Sequence, residues 1–169
     1  MHGGTGETGG PNGGDAALSR AVELVEVDVD GQRWALPLAA VERVVGMVAV
    51  SPLPESPVGV RGVINVHGEI VPVLDLDVRI GRRAREHRPR GRLLLARTAQ
   101  RRVALAVDDV IGVIAVDASA IGPPPDAMPA PVAGLAAFGD GVLLIYDVDA
   151  FLSPGDEQAV AAALAGAKR

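Results

Sequence analysis

Val60-Arg61-Gly62-Val63-Ile64-Asn65-Val66-His67-Gly68-Glu69-Ile70-Val71-Pro72-Val73-Leu74-Asp75-Leu76-Asp77 has a faint copy 72 residues later, at Val132-Ala133-Gly134-Leu135 and Val142-Leu143-Leu144-Ile145-Tyr146-Asp147-Val148-Asp149. Four of the eighteen aligned positions are identical: Val60, Gly62, Asp75 and Asp77 in the first copy. A shift of 66 lays Val44–Val50 on Val110–Val116, and Gln32-Arg33 finds an echo in Gln100-Arg101. The matches keep their order while the offset drifts by a few residues, which points to a duplicated unit. A unit of about 70 residues with four or five short strands closes as a small β-barrel, which removes exposed strand edges. The expected architecture is mainly β, with two similar five-stranded barrels.

Outward from that core, the apolar runs Val44–Val50, Val58–Val66, Ile70–Leu76, Leu93–Ala99, Val103–Val107, Val110–Val116 and Val142–Val148 are rich in Val and Ile and separated by Gly or Pro. Such β-branched runs suit pleated surfaces. Val25–Asp30 alternates apolar and acidic residues, as a half-buried strand does, and Asp30-Gly31 is the positive-φ pair of a tight hairpin turn. Leu38, Val41 and Val45 predict a short helix near 38–45. A helix over 153–169 follows from Ser153 as N-cap, Pro154 at the first position, Asp156 and Glu157 in the first turn and Lys168-Arg169 at the end. Residues 1–20, with seven Gly in the first fourteen, cannot bury enough apolar surface to order themselves and are expected to form a disordered tail rather than a signal peptide. The copies meet at Val78–Arg92, a linker with seven Arg, so the subdomains are expected at about 21–78 and 93–148, with any exchange of strands between them left open.

Composition narrows the function. The 169 residues carry 16 Lys+Arg against 21 Asp+Glu, and the four aromatics are Trp34, Phe138, Tyr146 and Phe151. A mildly acidic chain is a poor phosphate binder, and a single-strand-binding barrel needs stacking aromatics that the Arg-rich linker lacks. Cys is absent, which removes thiolate metal sites and Cys nucleophiles. His2, His67 and His87 form no His-x-x-x-His pair, and no Gly-x-Ser-x-Gly elbow or phosphate loop with a Gly-Lys-Ser/Thr ending occurs. Asp75, Asp77, Asp108, Asp109, Asp147 and Asp149 fall at strand ends, where turn capping accounts for them. These patterns predict no enzyme, no metal and no cofactor. They leave a rigid scaffold that presents contact residues from turns.

The stretch Val60–Leu76 resembles the signature of the CheW-like chemotaxis coupling domain: basic-Gly-aliphatic-aliphatic-Asn-Leu-Arg-Gly-x-Ile-aliphatic-Pro-aliphatic-aliphatic-Asp-Leu. Trp34–Leu38 with Val41–Val45, Val107–Val110 and Gly134–Asp140 extend the resemblance over about 21–152. It implies two SH3-like five-stranded barrels. It also implies a non-enzymatic cytoplasmic adaptor, associated with receptor arrays, that bridges a chemotaxis-type histidine kinase and the cytoplasmic tips of chemoreceptors. The kinase's regulatory domain is built on the same barrel pair. A diverged regulatory module of a non-motility pathway is the alternative, and a nucleic-acid-binding barrel is a distant third.

On this resemblance the receptor- or kinase-binding residues are Val41, Arg43, Arg61, Gly62, Asn65, His67 and Gly68. Gly62 and Gly68 also suit tight turns, Asn65 suits bonding to loop backbone, and Val41 serves either the core or the receptor groove. Two positions depart from the family. The Arg of its Asn-Leu-Arg-Gly turn is His67 here, and its acid two positions after the Val is Arg43. Where the family pairs an acid with a base, this chain carries two basic residues.

Overall fold

The computed structural model describes residues 20–79, 91–126 and 131–167; the Gly-rich tail before Arg20, most of the Arg-rich linker and Lys168-Arg169 lie outside them. Eleven strands are described, in the order β1 Ala21–Val29, β2 Gln32–Pro37, β3 Val41–Gly46, β4 Val60–Val66, β5 Glu69–Asp75, β6 Arg92–Arg97, β7 Arg102–Val107, β8 Asp109–Asp117, β9 Ile121–Gly122, β10 Val132–Phe138 and β11 Gly141–Tyr146. The helices are the single turn α1 Leu76–Arg79 and the terminal α2 Pro154–Ala167. Two sheets result: β3-β6-β7-β5-β4, here barrel 1, and β8-β1-β2-β11-β10-β9, here barrel 2.

The helix expected near 38–45 shrinks to a 3-10 turn at Leu38–Ala40. Val41, Arg43, Val44 and Val45 instead pair antiparallel with β6. The helical spacing of Leu38, Val41 and Val45 is outweighed because β-branched side chains pack well on a pleated surface with a partner strand at hand. The half-buried reading of β1 is also corrected. Leu24 to Val27 are all buried, Glu26 included, because the strand has one face in barrel 2 and the other between the barrels.

A row of paired residues crosses each barrel and reveals the duplication. In barrel 1 it runs Arg43, Leu95, Ala104, Val73, Gly62. In barrel 2 it runs Gly112, Glu26, Ala35, Ile145, Gly134. The offset of 72 therefore holds between Val73 and Ile145 and between Gly62 and Gly134. The offset of 66 does not: Arg43 corresponds to Gly112, at 69. The sheets supply the strand exchange that the division of the chain at the linker left open: each copy donates its first hairpin to the other's barrel. Hairpin β1–β2 completes barrel 2 and hairpin β6–β7 completes barrel 1. Closure is matched too. Past β3 the chain reaches Ser51, which bridges to Val63 of β4, and past β8 it reaches β9, which pairs with β10.

The exchange explains why the strands read as continuous apolar runs rather than alternating ones, since both faces are buried. Leu93 and Leu95 of β6 face the interior of barrel 1, while Leu94 and Ala96 face the other barrel. The core between the barrels gathers three of the four aromatics. Trp34 stacks on Tyr146 at 4.2 Å between centroids, and Tyr146 on Phe151 at 5.9 Å. Val160 and Leu164 of α2 join the same core. That helix starts as expected, with the Asp156 amide donating to Ser153 Oγ (3.1 Å) and the Ser153 amide to Asp156 Oδ2 (3.2 Å), a reciprocal cap worth about 1 kcal/mol.

Candidate functional site

The β4–β5 hairpin is built by its turn chemistry. Val66 pairs with Glu69, leaving His67 and Gly68 as a two-residue turn with φ of 49° and 90°. Both must be left-handed to match the strand twist, which Gly takes freely and His only under constraint. The constraint comes from Asn65, whose Oδ1 accepts the Gly68 amide at 2.7 Å. The β1–β2 hairpin repeats the device, with Asp30 and Gly31 at φ of 54° and 77° and Asp28 Oδ1 accepting the Gly31 amide at 2.8 Å. Asn65 and Gly68 thus set the pose of the turn, and His67 stands exposed at its tip.

Two of the sequence candidates are tied up inside the fold. Arg61 Nη2 holds Asp75 Oδ2 at 3.1 Å, and Asp75 Oδ1 accepts the Asp77 amide at 3.1 Å, capping the end of β5. Asp147 and Asp149 repeat that cap at 3.0 Å in the other copy, where Ala133 replaces the arginine. Gly62 is buried at φ 153°, and a Cβ there would lie 2.2 Å from the Ser51 carbonyl oxygen. No side chain fits between β4 and the segment that closes the barrel.

Arg43 and His67 are brought together on barrel 1, whereas Val41 is not. Val41, half-buried, packs against the core between the barrels. Arg43 and His67 line one depression of about 410 Å³ with Glu42, Val66, Glu69, Leu95 and Arg102. Its acids are already held. Glu42 meets Arg97 at 2.9 Å and Arg102 at 2.7 Å, and Glu69 meets Arg102 at 2.6 Å. The hydrogen bond from Arg97, with the nearby charge of Arg102, keeps the Glu42 carboxyl below the usual glutamate range against the opposing effect of burial. This ladder joins β3, β6, β7 and β5, with partners as far as 60 residues apart, and sequence reading missed it. By contrast, the side chains of Arg43 and His67 make no hydrogen bond or ion pair among the described residues.

A second depression of about 860 Å³ shares His67, Glu69 and Arg102 with the first and runs on to Ile70, Arg101 and Leu164 of α2. Exposed large hydrophobics occur on both sides: Val44 on β3 with Val48 and Val58 in the segment between β3 and β4, and Ile111 and Val113 on β8 with Val142 on β11. No helix among the described residues is long and apolar enough to cross a membrane.

Comparison with known proteins agrees with this architecture. The family model of the CheW-like domain matches residues 23–154. The chain is 34% identical to a chemotaxis protein CheW of Rhizobium meliloti over 104 residues, 62% of this chain and 67% of that protein. It is 25% identical to a chemotaxis protein CheW of Klebsiella aerogenes over 135 residues, 78% of this chain and 81% of that one. Among solved structures, the scaffolding protein TtCheW of Thermoanaerobacter tengcongensis is similar with a TM-score of 0.74 and 28% identity, covering 81% of this chain and 96% of that one.

Proposed function

Since this chain belongs to the CheW-like domain family and is a non-enzymatic chemotaxis adaptor, we propose that it works in the cytoplasm, within receptor arrays, between the regulatory domain of a chemotaxis-type histidine kinase and the cytoplasmic tips of chemoreceptors. The observation that carries the division of labour is the charged depression of barrel 1, set against the apolar residues that β8 exposes at the positions matching Glu42 and Val44 of β3. The depression is lined by Glu42, Arg43, His67, Glu69 and Arg102. Asn65 and Gly68 set the turn that carries His67, and Val41 lies on the neighbouring inter-barrel side. Barrel 2 presents exposed Ile111 and Val113 on β8 and Val142 on β11. In this reading the charged side meets the receptor tip. Interfaces lined by charge select partners through complementarity. The apolar side meets the kinase domain, where exposed aliphatic groups gain from burial. Arg61 and Gly62 contribute by holding the β4–β5 hairpin and its closure in place.

A rigid two-sided body suits this task. A signal at one face reaches the other only by biasing two arrangements of the whole assembly, so the adaptor itself needs no moving site.

The test is sedimentation of the full chain with the purified regulatory domain and with a receptor-tip fragment, singly and together. The expected outcome is micromolar or tighter binding to each and a ternary complex when both are present. Binding to the kinase domain should change little between low and physiological salt. A chain that binds neither partner would overturn the proposal.

A further inference from the structure

We infer that the depression between β3 and the β4–β5 hairpin receives an acidic side chain of the receptor tip, with Arg43 as its anchoring cation and the His67 ring as an added hydrogen-bond donor. This inference rests on the reading that this face of barrel 1 meets the receptor.

The argument is one of unbalanced charge. Every carboxylate lining the depression has its cation: Glu42 has Arg97 and Arg102, and Glu69 has Arg102. Arg102 in turn is held between two acids. That leaves Arg43, exposed on β3 and with no anionic partner among the described residues, facing the same space as His67. A partner that buried this face with an apolar or basic group would strip water from the guanidinium and give nothing back, which is costly for a charged donor. A carboxylate supplies the missing partner, and a guanidinium fork matches its two oxygens.

The pose is prepared as well. Arg43 stands in a strand paired with β6, and His67 is fixed by a left-handed turn that Asn65 locks, so neither backbone has to move to meet the ligand. Leu95, 2% exposed, and the half-buried Val66 also line the depression, so a partner that covers it excludes water and strengthens a charge pair seated there. The two basic residues that depart from the family pattern therefore define a specificity. A receptor that relies on a basic group at this contact is refused, and one with an acid is accepted.

The experiment is calorimetric titration of the full chain with the cytoplasmic tip of a chemoreceptor encoded in the same genome. The variants are R43E, R43K and H67G, the last chosen because Gly keeps the left-handed turn. R43E should weaken binding at least tenfold, R43K less, and H67G two- to fivefold. Changing the tip's exposed acids singly to Arg should identify one reversal that restores binding to R43E. Unaltered denaturation midpoints and retained binding to the kinase regulatory domain show that the variants are folded. Two results overturn the inference while leaving the adaptor reading intact. One is undiminished binding of R43E to a tip that the unaltered chain also binds. The other is a loss that no reversal in the tip repairs. Failure of the unaltered chain to bind the tip overturns the receptor half of the adaptor reading, and the inference with it.

Discussion

On barrel 1 the outward positions of β3 carry Glu42, held by Arg97 and Arg102, and Val44, 41% exposed. At the matching positions of β8, barrel 2 has Ile111 and Val113, 46% and 59% exposed. Inside the barrels the contrast is reversed. The row position filled by Leu95 in barrel 1 is filled in barrel 2 by Glu26, whose buried carboxylate meets Arg33 at 3.2 Å. One topology thus supports opposite distributions of charge. Strand order is set by turns, close approaches and the core between the barrels, which both copies share. The outward residues of β3 and β8 are free of that constraint and have diverged.

The most severe way to break the comparison is at the glycines that end the rows. A Cβ on Gly62 would lie 2.2 Å from a backbone oxygen of Ser51, whereas one on Gly134 would lie 2.8 Å from a side-chain methyl of Ile121 and 3.1 Å from the Gly122 oxygen. Backbone in a closed barrel cannot retreat by an ångström, but an isoleucine can change rotamer. Gly62→Ala is therefore expected to cost about 3 kcal/mol or more, and Gly134→Ala about 1–2 kcal/mol. Urea denaturation of both variants reads the difference. Equal losses would mean that the two closures are equally tight.

The same glycines show why part of the fold was legible in the sequence. The 72-residue copy was visible because Gly62 and Gly134 answer one steric demand, and Asp75 and Asp147 cap the same turn. Those demands tolerate few residue types, so they survive divergence. The 66-residue match failed for the opposite reason. Val fits most positions of an aliphatic strand, so Val44–Val50 aligns with Val110–Val116 at a register that the hydrogen bonds reject. The hairpin exchange left no local trace, because strand partners are joined by backbone hydrogen bonds between distant segments, which residue types along one strand do not specify. At the candidate site, the turn Asn65–Gly68 was readable from residue types alone. The Glu42 ladder was not, since it joins four strands whose neighbourhood only the closed barrel creates.

That ladder offers a milder test. The Glu42 carboxyl titrates below its ordinary range in the folded chain, so its contribution to stability is complete above the unfolded pKa, about 4.3. The contribution disappears as the pH falls through the lower folded value. Its side chain is 30% exposed, so solvent screening keeps the gain to about 1 kcal/mol or less. Glu42→Gln should therefore destabilise by up to that amount at pH 7, and the gap to the unaltered chain should close in acid. Ile111→Gln, at the matching position of barrel 2, should show no comparable dependence on pH. A Glu42→Gln penalty that persists at pH 2 would assign the loss to packing rather than charge.

The smallest expected effect on the fold comes from the apolar counterpart, and it sharpens the comparison most. Val113→Ser removes two methyl groups from a residue that is 59% exposed, so little buried area is lost. Surface changes of this kind usually stay within about 0.5 kcal/mol, and β-propensity shifts by a similar amount. The denaturation midpoint should barely move. Binding should move if barrel 2 meets the kinase regulatory domain through this strand, because an interface position is dry in the complex and the serine hydroxyl would be buried without a partner. Val44→Ser on barrel 1 is the control, at a matching position with similar geometry but beside the charged depression. The prediction is a weaker kinase complex for Val113→Ser, by about fivefold to thirtyfold for a cost of 1–2 kcal/mol, and an unchanged one for Val44→Ser. If the two substitutions weakened the kinase complex equally, the barrels would share that partner, and the contrast between their surfaces would have to be explained by something other than a division between kinase and receptor.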